Sequence, residues 1–266
     1  MEEKIGKLNK PMKKKVVIIG SGNVATFMAR KLRKAGNAIV QIYSRNGDAA
    51  WELAQASNAE AVSEISKISS KADLYVIAVK DDAIQEVSDA LNVDGGIVVH
   101  TSGTAPIETL KKHNATGILY PYQTVRKEES PERLQMCVMF DGNSDDVTEI
   151  IEEFAFQLSD YTTRVTDAER RVYHLAAVLV NNFSNHLVVL ANELLEKHAL
   201  DTEYLKPIIM KTAEIAVLDE PFESQTGPAR RGDETTIQLH QQMLADNPIL
   251  AEIYSKITES IKQKYR

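Results

Sequence analysis

The strongest constraint in this sequence is a short apolar run that ends in two closely spaced glycines. Val16-Val17-Ile18-Ile19 is followed directly by Gly20-Ser21-Gly22-Asn23-Val24-Ala25. Four consecutive β-branched residues suit a strand buried on both faces, as in a parallel sheet. Gly20 ends the run. Val24, Phe27, Met28 and Leu32 then recur at helical spacing, and Gly36 stands where a helix C-cap belongs. A strand, a glycine turn and a helix in that order leave free backbone N–H groups at the helix start, which favour an anion. The first glycine permits the tight turn, the second lets a pyrophosphate approach the backbone, and Ala25 is the small residue at the third fingerprint position. Gly20, Ser21, Gly22, Asn23 and Val24 are therefore expected to hold a dinucleotide.

The same alternation continues. Residues 38–43 read as a second strand, 48–56 as a helix and Leu74 to Val79 as another strand. A helix through Ile84, Val87 and Leu91 follows, with Asp81 or Asp82 as its cap, and then strands at 96–100 and 117–120. Further strand-like pieces lie at 136–140 and 161–165 with a helix between them. This order predicts an α/β fold, a parallel sheet with helices on both faces joined by right-handed crossovers. From Thr166 onward no strand pattern remains. Asp167 to His198 reads as one long helix, with further helices at 201–218, 233–245 and 248–264. The expected organisation is a Rossmann-type domain over residues 1–165, its first twelve residues a solvated Lys-rich tail, and an all-helical domain over 166–266.

The end of the second strand decides between nicotinamide cofactors. An NAD site places a carboxylate there to bond the ribose 2′-hydroxyl. This chain has Tyr43-Ser44-Arg45 instead. A hydroxyl beside a guanidinium matches a 2′-phosphate, so Ser44 and Arg45 point to NADP(H). The net charge of -7 argues against a general nucleic-acid partner. One cysteine, Cys137, leaves neither an intrachain disulfide nor a Cys-based zinc site, and the scattered histidines suggest no metal centre. No apolar run reaches the ~20 residues of a membrane span, and the N-terminus lacks a signal-peptide core. A cytoplasmic protein with no membrane partner is expected.

Several motifs recur in the same order in one family. They are Gly20 to Ala25, Tyr43-Ser44-Arg45, Val79-Lys80-Asp81-Asp82-Ala83-Ile84, His100-Thr101-Ser102-Gly103, Tyr120-Pro121-Tyr122-Gln123-Thr124, and Thr226 to Asp233. On these the chain resembles the NADP oxidoreductases that join a Rossmann-like domain to a helical C-terminal domain of unassigned function. That group is similar in turn to pyrroline-5-carboxylate reductase, F420-dependent NADP reductase and the 6-phosphogluconate dehydrogenase class. The resemblance implies a fold and NADP as cofactor, but no substrate; the long apolar helices of the C-terminal part suggest a homodimer, as in the related families. The β-hydroxyacid dehydrogenases of that wider class use a helix Lys and an Asn one turn later. Here the turn after His174 brings Val178, so that pair does not carry over.

The reacting end of the cofactor belongs near the carboxyl ends of the strands. Val79 and Lys80 are expected beside its ribose and pyrophosphate, with His100, Ser102 and Gln123 lining the site. Asp81 and Asp82 read as helix caps. On the long helix, Arg171, His174, Val178, Asn181 and Asn185 follow spacings that put them on one α-helical face. His174 is the candidate proton donor or acceptor, Asn181 a substrate-orienting group and Ser102 a further catalytic candidate. Arg231 is expected to meet an anionic group of substrate or cofactor. Two function classes follow: an NADP-dependent oxidoreductase acting on a small carbonyl, hydroxyl or imine compound held between the domains, and a non-catalytic NADP(H)-binding sensor. Hydride exchange with a second cofactor such as F420 is a third.

Overall fold

The computed structural model describes residues 13–130 and 135–265; the expected N-terminal tail lies outside the described residues. The chain forms two compact units, Met1–Val178 and Leu179–Arg266.

The first unit is built on an eight-stranded sheet of order β3-β2-β1-β4-β5-β6-β7-β8. These strands are β1 (Lys15–Ile19), β2 (Ala38–Tyr43), β3 (Glu60–Val62), β4 (Leu74–Ile77), β5 (Ile97–His100), β6 (Thr116–Tyr122), β7 (Cys137–Gly142) and β8 (Thr162–Arg164). All neighbours are parallel except β6 and β7, whose pairing is antiparallel. The central strands are buried on both faces, which is why they read as unbroken apolar runs. The three-residue β3, two of its residues exposed, carries no such signal and was not expected.

Alternate residues of each strand feed two cores. Val16, Ile18, Ile42, Leu74, Val76 and Val99 pack with the apolar stripes of α1 (Asn23–Lys34), α2 (Gly47–Ser57) and α4 (Asp145–Leu158). Val17, Ile19, Tyr75, Ile77 and Val98 pack on the other face with Ile84 of α3 (Ile84–Ala90) and with Leu91 and Leu110. Helices thus cover both faces of the sheet, and the loops at its carboxyl edge are left to bind.

The helix beginning at Asp167 runs to Lys197, as its sequence predicts, but not as one α-helix. α5 (Asp167–Ala177) passes into a π-helical segment, Val178–Phe183, and then into α6 (Ser184–Lys197). A π turn bonds i to i+5, so the spacing that joined His174 to Asn181 and Asn185 is not a single α-helical stripe. By length and composition alone this helix is apolar enough to cross a membrane. It nevertheless carries Asn181, Asn182, Ser184, Asn185 and His186 in its middle, side chains that hydrocarbon penalises.

The second unit is helical throughout. After α6 come α7 (Lys206–Leu218), the short α8 (Pro228–Arg231), α9 (Glu234–Met243) and α10 (Pro248–Lys264). Asp233 caps α9 by accepting from Thr236 N at 3.1 Å, as the loop sequence predicts. Arg230 is committed within this unit. It donates to the carbonyls of Phe222, Glu223 and Gln225 and lies 4.9 Å from the ring centre of Tyr265.

Candidate active site

The nucleotide loop forms where β1 ends beside β4. Gly20 has φ +130°, and a Cβ there would lie 2.2 Å from the Ala78 carbonyl oxygen, so only glycine fits. Gly20 N donates to Tyr43 O and Ala78 N to Ile19 O, each at 2.7 Å, locking the turn between two strands. Gly22 caps α1 without a side-chain acceptor, and the first turn contains no acidic residue. The amide groups of that turn are therefore open to an anion, and Gly22 has no atom within 4 Å of where a Cβ would project. This cradle fits a pyrophosphate. Ser21, Asn23 and Val24 flank it, Val24 half-buried against the core. Val79 and Lys80 follow β4 at the same edge, Lys80 exposed.

Ser44 sits beside the loop. Its Oγ accepts from Ser21 Oγ at 2.9 Å and from Asn46 N at 3.2 Å, which leaves the Ser44 proton to donate. Asn46 caps α2, accepting from Ala49 N. Arg45 is exposed, and among the described residues no carboxylate pairs with it. A hydroxyl with a free proton and an unpaired guanidinium fit the 2′-phosphate of NADP.

The ends of β5 and β6 form a second cluster. Ser102 is fully committed: its Oγ donates to Asp81 Oδ2 at 2.7 Å and accepts from Thr104 N and Ala105 N at 3.0 and 2.9 Å. Asp81 also accepts from Thr104 Oγ1 at 2.6 Å. Asp81 is therefore no helix cap; it ties the loop after β5 to the one after β4. The single proton of Ser102, the expected catalytic hydroxyl, already has Asp81 as its acceptor here.

His100, expected to line the site, has no exposed surface. Its Nδ1 accepts from Ser102 N at 3.2 Å, which puts the proton on Nε2. Burial, with the Arg170 guanidinium adding, lowers its pKa to about 4 and keeps it neutral. The Pro106 carbonyl favours the Nε2 proton, yet the contact falls outside hydrogen-bond geometry. Gln123 is exposed; it donates to Gln135 O and accepts from Thr124 N.

α5 supplies the rest. A capping box between Thr166 and Glu169 starts the helix. Arg170, completely buried, pairs with Asp167 at 2.8 Å and donates to Ala105 O. Asp167 Oδ2 accepts from Ile107 N at 3.1 Å, and Arg171 Nε donates to Thr104 O at 3.0 Å. These bonds hold α5 against the loop after β5 and place His174 beside β6. His174 Nδ1 lies 3.0 Å from the Tyr120 hydroxyl. Tyr122 closes the cluster, its hydroxyl donating to Tyr173 O at 2.8 Å. A Cβ on Gly103 would sit 2.5 Å from His174 Nδ1 and 3.0 Å from the Tyr120 hydroxyl, so the pair forms only over a glycine.

Sequence reasoning included Tyr120 in a family motif but gave it no role, and it missed Arg170. The signal for Arg170 was its i, i+4 relation to His174. Asn181 and Arg231 lie in the second unit, Asn181 in the π-helical segment and Arg231, exposed, at the end of α8.

Residues 15–103 match the family model described as NADP oxidoreductase, coenzyme F420-dependent. Residues 136–261 match a domain of unknown function, DUF2520. BF3122 from Bacteroides fragilis, assigned as an NADP oxidoreductase, shares 34% identity over 94% of this chain and 98% of its own, with a TM-score of 0.88. The chain belongs to this NADP oxidoreductase family. The family's chemistry is NAD(P)-dependent oxidoreduction, and its cofactor is NADP(H). TM1727 from Thermotoga maritima is similar at 23% identity over 94% of this chain and 98% of its own, TM-score 0.71. A reductive aminase from Aspergillus terreus, solved with NADPH and ethyl-5-oxohexanoate, shares the fold at 12% identity. It covers 95% of this chain and 93% of its own, TM-score 0.71. No curated protein matches the sequence significantly.

Proposed function

We propose that this protein transfers a hydride between NADP(H) and a small carbonyl, hydroxyl or imine compound, and that the ends of β4, β5 and β6 with α5 form its reacting site. One observation carries the reading. The Asp81–Ser102 brace and the Tyr120–His174 pair lie at the carboxyl edge of the sheet, the edge that also carries the Gly20–Gly22 cradle. A binding loop alone would serve a sensor equally. A partly buried imidazole–phenol pair at that edge favours chemistry.

Gly20, Ser21, Gly22, Asn23 and Val24 would hold the pyrophosphate, Val79 and Lys80 the adjoining ribose, and Ser44 and Arg45 the 2′-phosphate. The bound cofactor supplies or accepts the hydride. The protein's own part is to orient the partner molecule and move one proton, with His174 as the source. Ser102 and His100 act from beneath, keeping the loop after β5 in place. Asn181 is assigned to orienting the substrate and Arg231 to an anionic group; a raised KM in Asn181→Ala and Arg231→Ala is the expected consequence.

The many exposed apolar side chains of the second unit, Val217 and Val180 foremost, are best accounted for by a second copy of the chain in a homodimer. The cofactor and the lone cysteine fit a cytoplasmic protein, with no nucleic-acid or membrane partner.

The test is NADPH oxidation against panels of carbonyl and imine compounds, alongside NADPH and NADH titrations of the wild type and Arg45→Asp. Turnover that is lost in His174→Ala supports the reading. Loss of a charge-assisted bond predicts roughly 10- to 100-fold weaker NADPH binding in Arg45→Asp, with NADH little changed. Equal NADPH affinity in that variant would remove the 2′-phosphate assignment. Tight NADPH binding with no turnover across the panels would favour the sensor.

A further inference from the structure

We propose that Tyr120, not His174, hands the proton to the substrate, and that His174 resupplies Tyr120 through its Nδ1. The inference rests on the oxidoreductase reading and adds a catalytic residue to it.

His174 Nδ1 meets the Tyr120 phenol beside the Gly103 backbone. The Tyr120 hydroxyl lies 3.0 Å from Nδ1, with the two rings edge to face at 6.2 Å between centres. The Gly103 backbone lies against the same pair, close enough that a single added carbon would stand 2.5 Å from Nδ1 and 3.0 Å from the Tyr120 hydroxyl. A proton on Nδ1 therefore leaves by way of the phenol oxygen. A hydroxyl has one proton and two acceptor positions, so Tyr120 can accept from Nδ1–H while donating its own proton outward. The competing hydroxyl at this strand end, Ser102, is excluded by its bond to Asp81.

The surroundings keep Tyr120 in the donating form. Burial, with Tyr122 adding, pushes its pKa up to about 12, and the opposing charges of Arg170 and Asp81 act on it from α5 and the loop after β4. The phenol stays protonated at neutral pH, yet it is far more acidic than an alcohol or an amine. It can thus give its proton to an alkoxide-like or amide-like atom as charge develops there.

In the reducing direction the step balances as follows. The substrate carbon gains a hydride from the reduced nicotinamide, and its oxygen or nitrogen gains the Tyr120 proton as the phenol O–H bond breaks. The Nδ1–H bond of His174 breaks in turn and restores the phenol. As that bond breaks, Nε2 of the partly exposed His174 takes a proton from solvent, so the ring exchanges its Nδ1–H form for the Nε2–H form and no imidazolate is left. Oxidation runs the same transfers backwards.

Tyr120→Phe keeps the ring and removes only the hydroxyl, so it separates relay from packing. The expected result is a fall in kcat of about 10²- to 10⁴-fold. NADPH affinity and Tm should stay near those of the wild type. A readout independent of turnover is the imidazole ¹⁵N spectrum of His174 in the full-length protein. Its Nδ1 resonance should be that of a hydrogen-bonded nitrogen in the wild type and should move in Tyr120→Phe. Wild-type turnover in Tyr120→Phe, or an unmoved Nδ1 resonance, overturns the relay while leaving the oxidoreductase reading intact. Absence of wild-type turnover on every panel compound removes the reading and the relay together, a result distinct from either of those.

Discussion

Single residues at the carboxyl edge have sharply different duties although they look alike in sequence. His100 and His174 are both imidazoles near one strand end, but only His174 is reachable. His100 is a buried neutral base whose folded pKa, about 4, lies below the ordinary histidine value of 6.5. The unfolded chain therefore takes up a proton in that interval that the folded chain refuses. Its contribution is complete above pH ~6.5 and is lost as the pH falls toward 4, by roughly 3 kcal/mol in all. Unfolding free energies of the wild type should decline between pH 6.5 and 5, and His100→Asn should show a flatter profile there despite lower stability at pH 7. Gly103 gives a second prediction. Gly103→Ala forces the added carbon against His174 and Tyr120, so kcat should fall while NADPH binding, held by distant residues, is retained in a fluorescence titration. Neither duty could be read from the sequence, because a Gly without positive φ and a His in a strand carry no local mark of what faces them.

At the scale of elements, α5 is the piece on which the site depends. Its first turn is fastened to the loop after β5 through Asp167, Arg170 and Arg171, and that fastening aims His174 at β6. Asp167→Ala would leave the Arg170 charge buried without its partner and Ile107 N without its acceptor. A loss of about 3–5 kcal/mol is expected in denaturant unfolding. Arg170→Met, which removes the buried charge instead, should cost less. The helix itself was legible from residues 167 to 198 because its apolar spacing is continuous. The change to π geometry at Val178–Phe183 was not, since Val-Leu-Val-Asn-Asn-Phe is compatible with either turn. β3 escaped notice for the opposite reason: three residues at a sheet edge bury too little to leave a pattern.

Across the whole molecule, α7 presents the clearest question. Ile208, Met210, Val217 and Leu218 are all exposed on it, and a helix apolar on many sides is ordinarily covered. Light scattering should give twice the 29.6 kDa chain mass, and Met210→Glu with Val217→Glu should shift the protein toward monomer. A wild-type monomer at micromolar concentration would defeat the homodimer. The alternation of strands and helices and the glycine loop at residue 20 were determined by the sequence itself, as was the hydroxyl and guanidinium at 44 and 45. Each depends on periodicity, backbone freedom or side-chain chemistry within a few residues. What only the tertiary structure decided is the company those residues keep. Tyr120 and His174 are 54 positions apart, Ser102 and Asp81 are 21 apart, and each pair meets because sheet order and helix docking bring the segments together. Local pattern marks where the cofactor's phosphates are expected. The proton's route depends on side chains that are neighbours only in the folded chain.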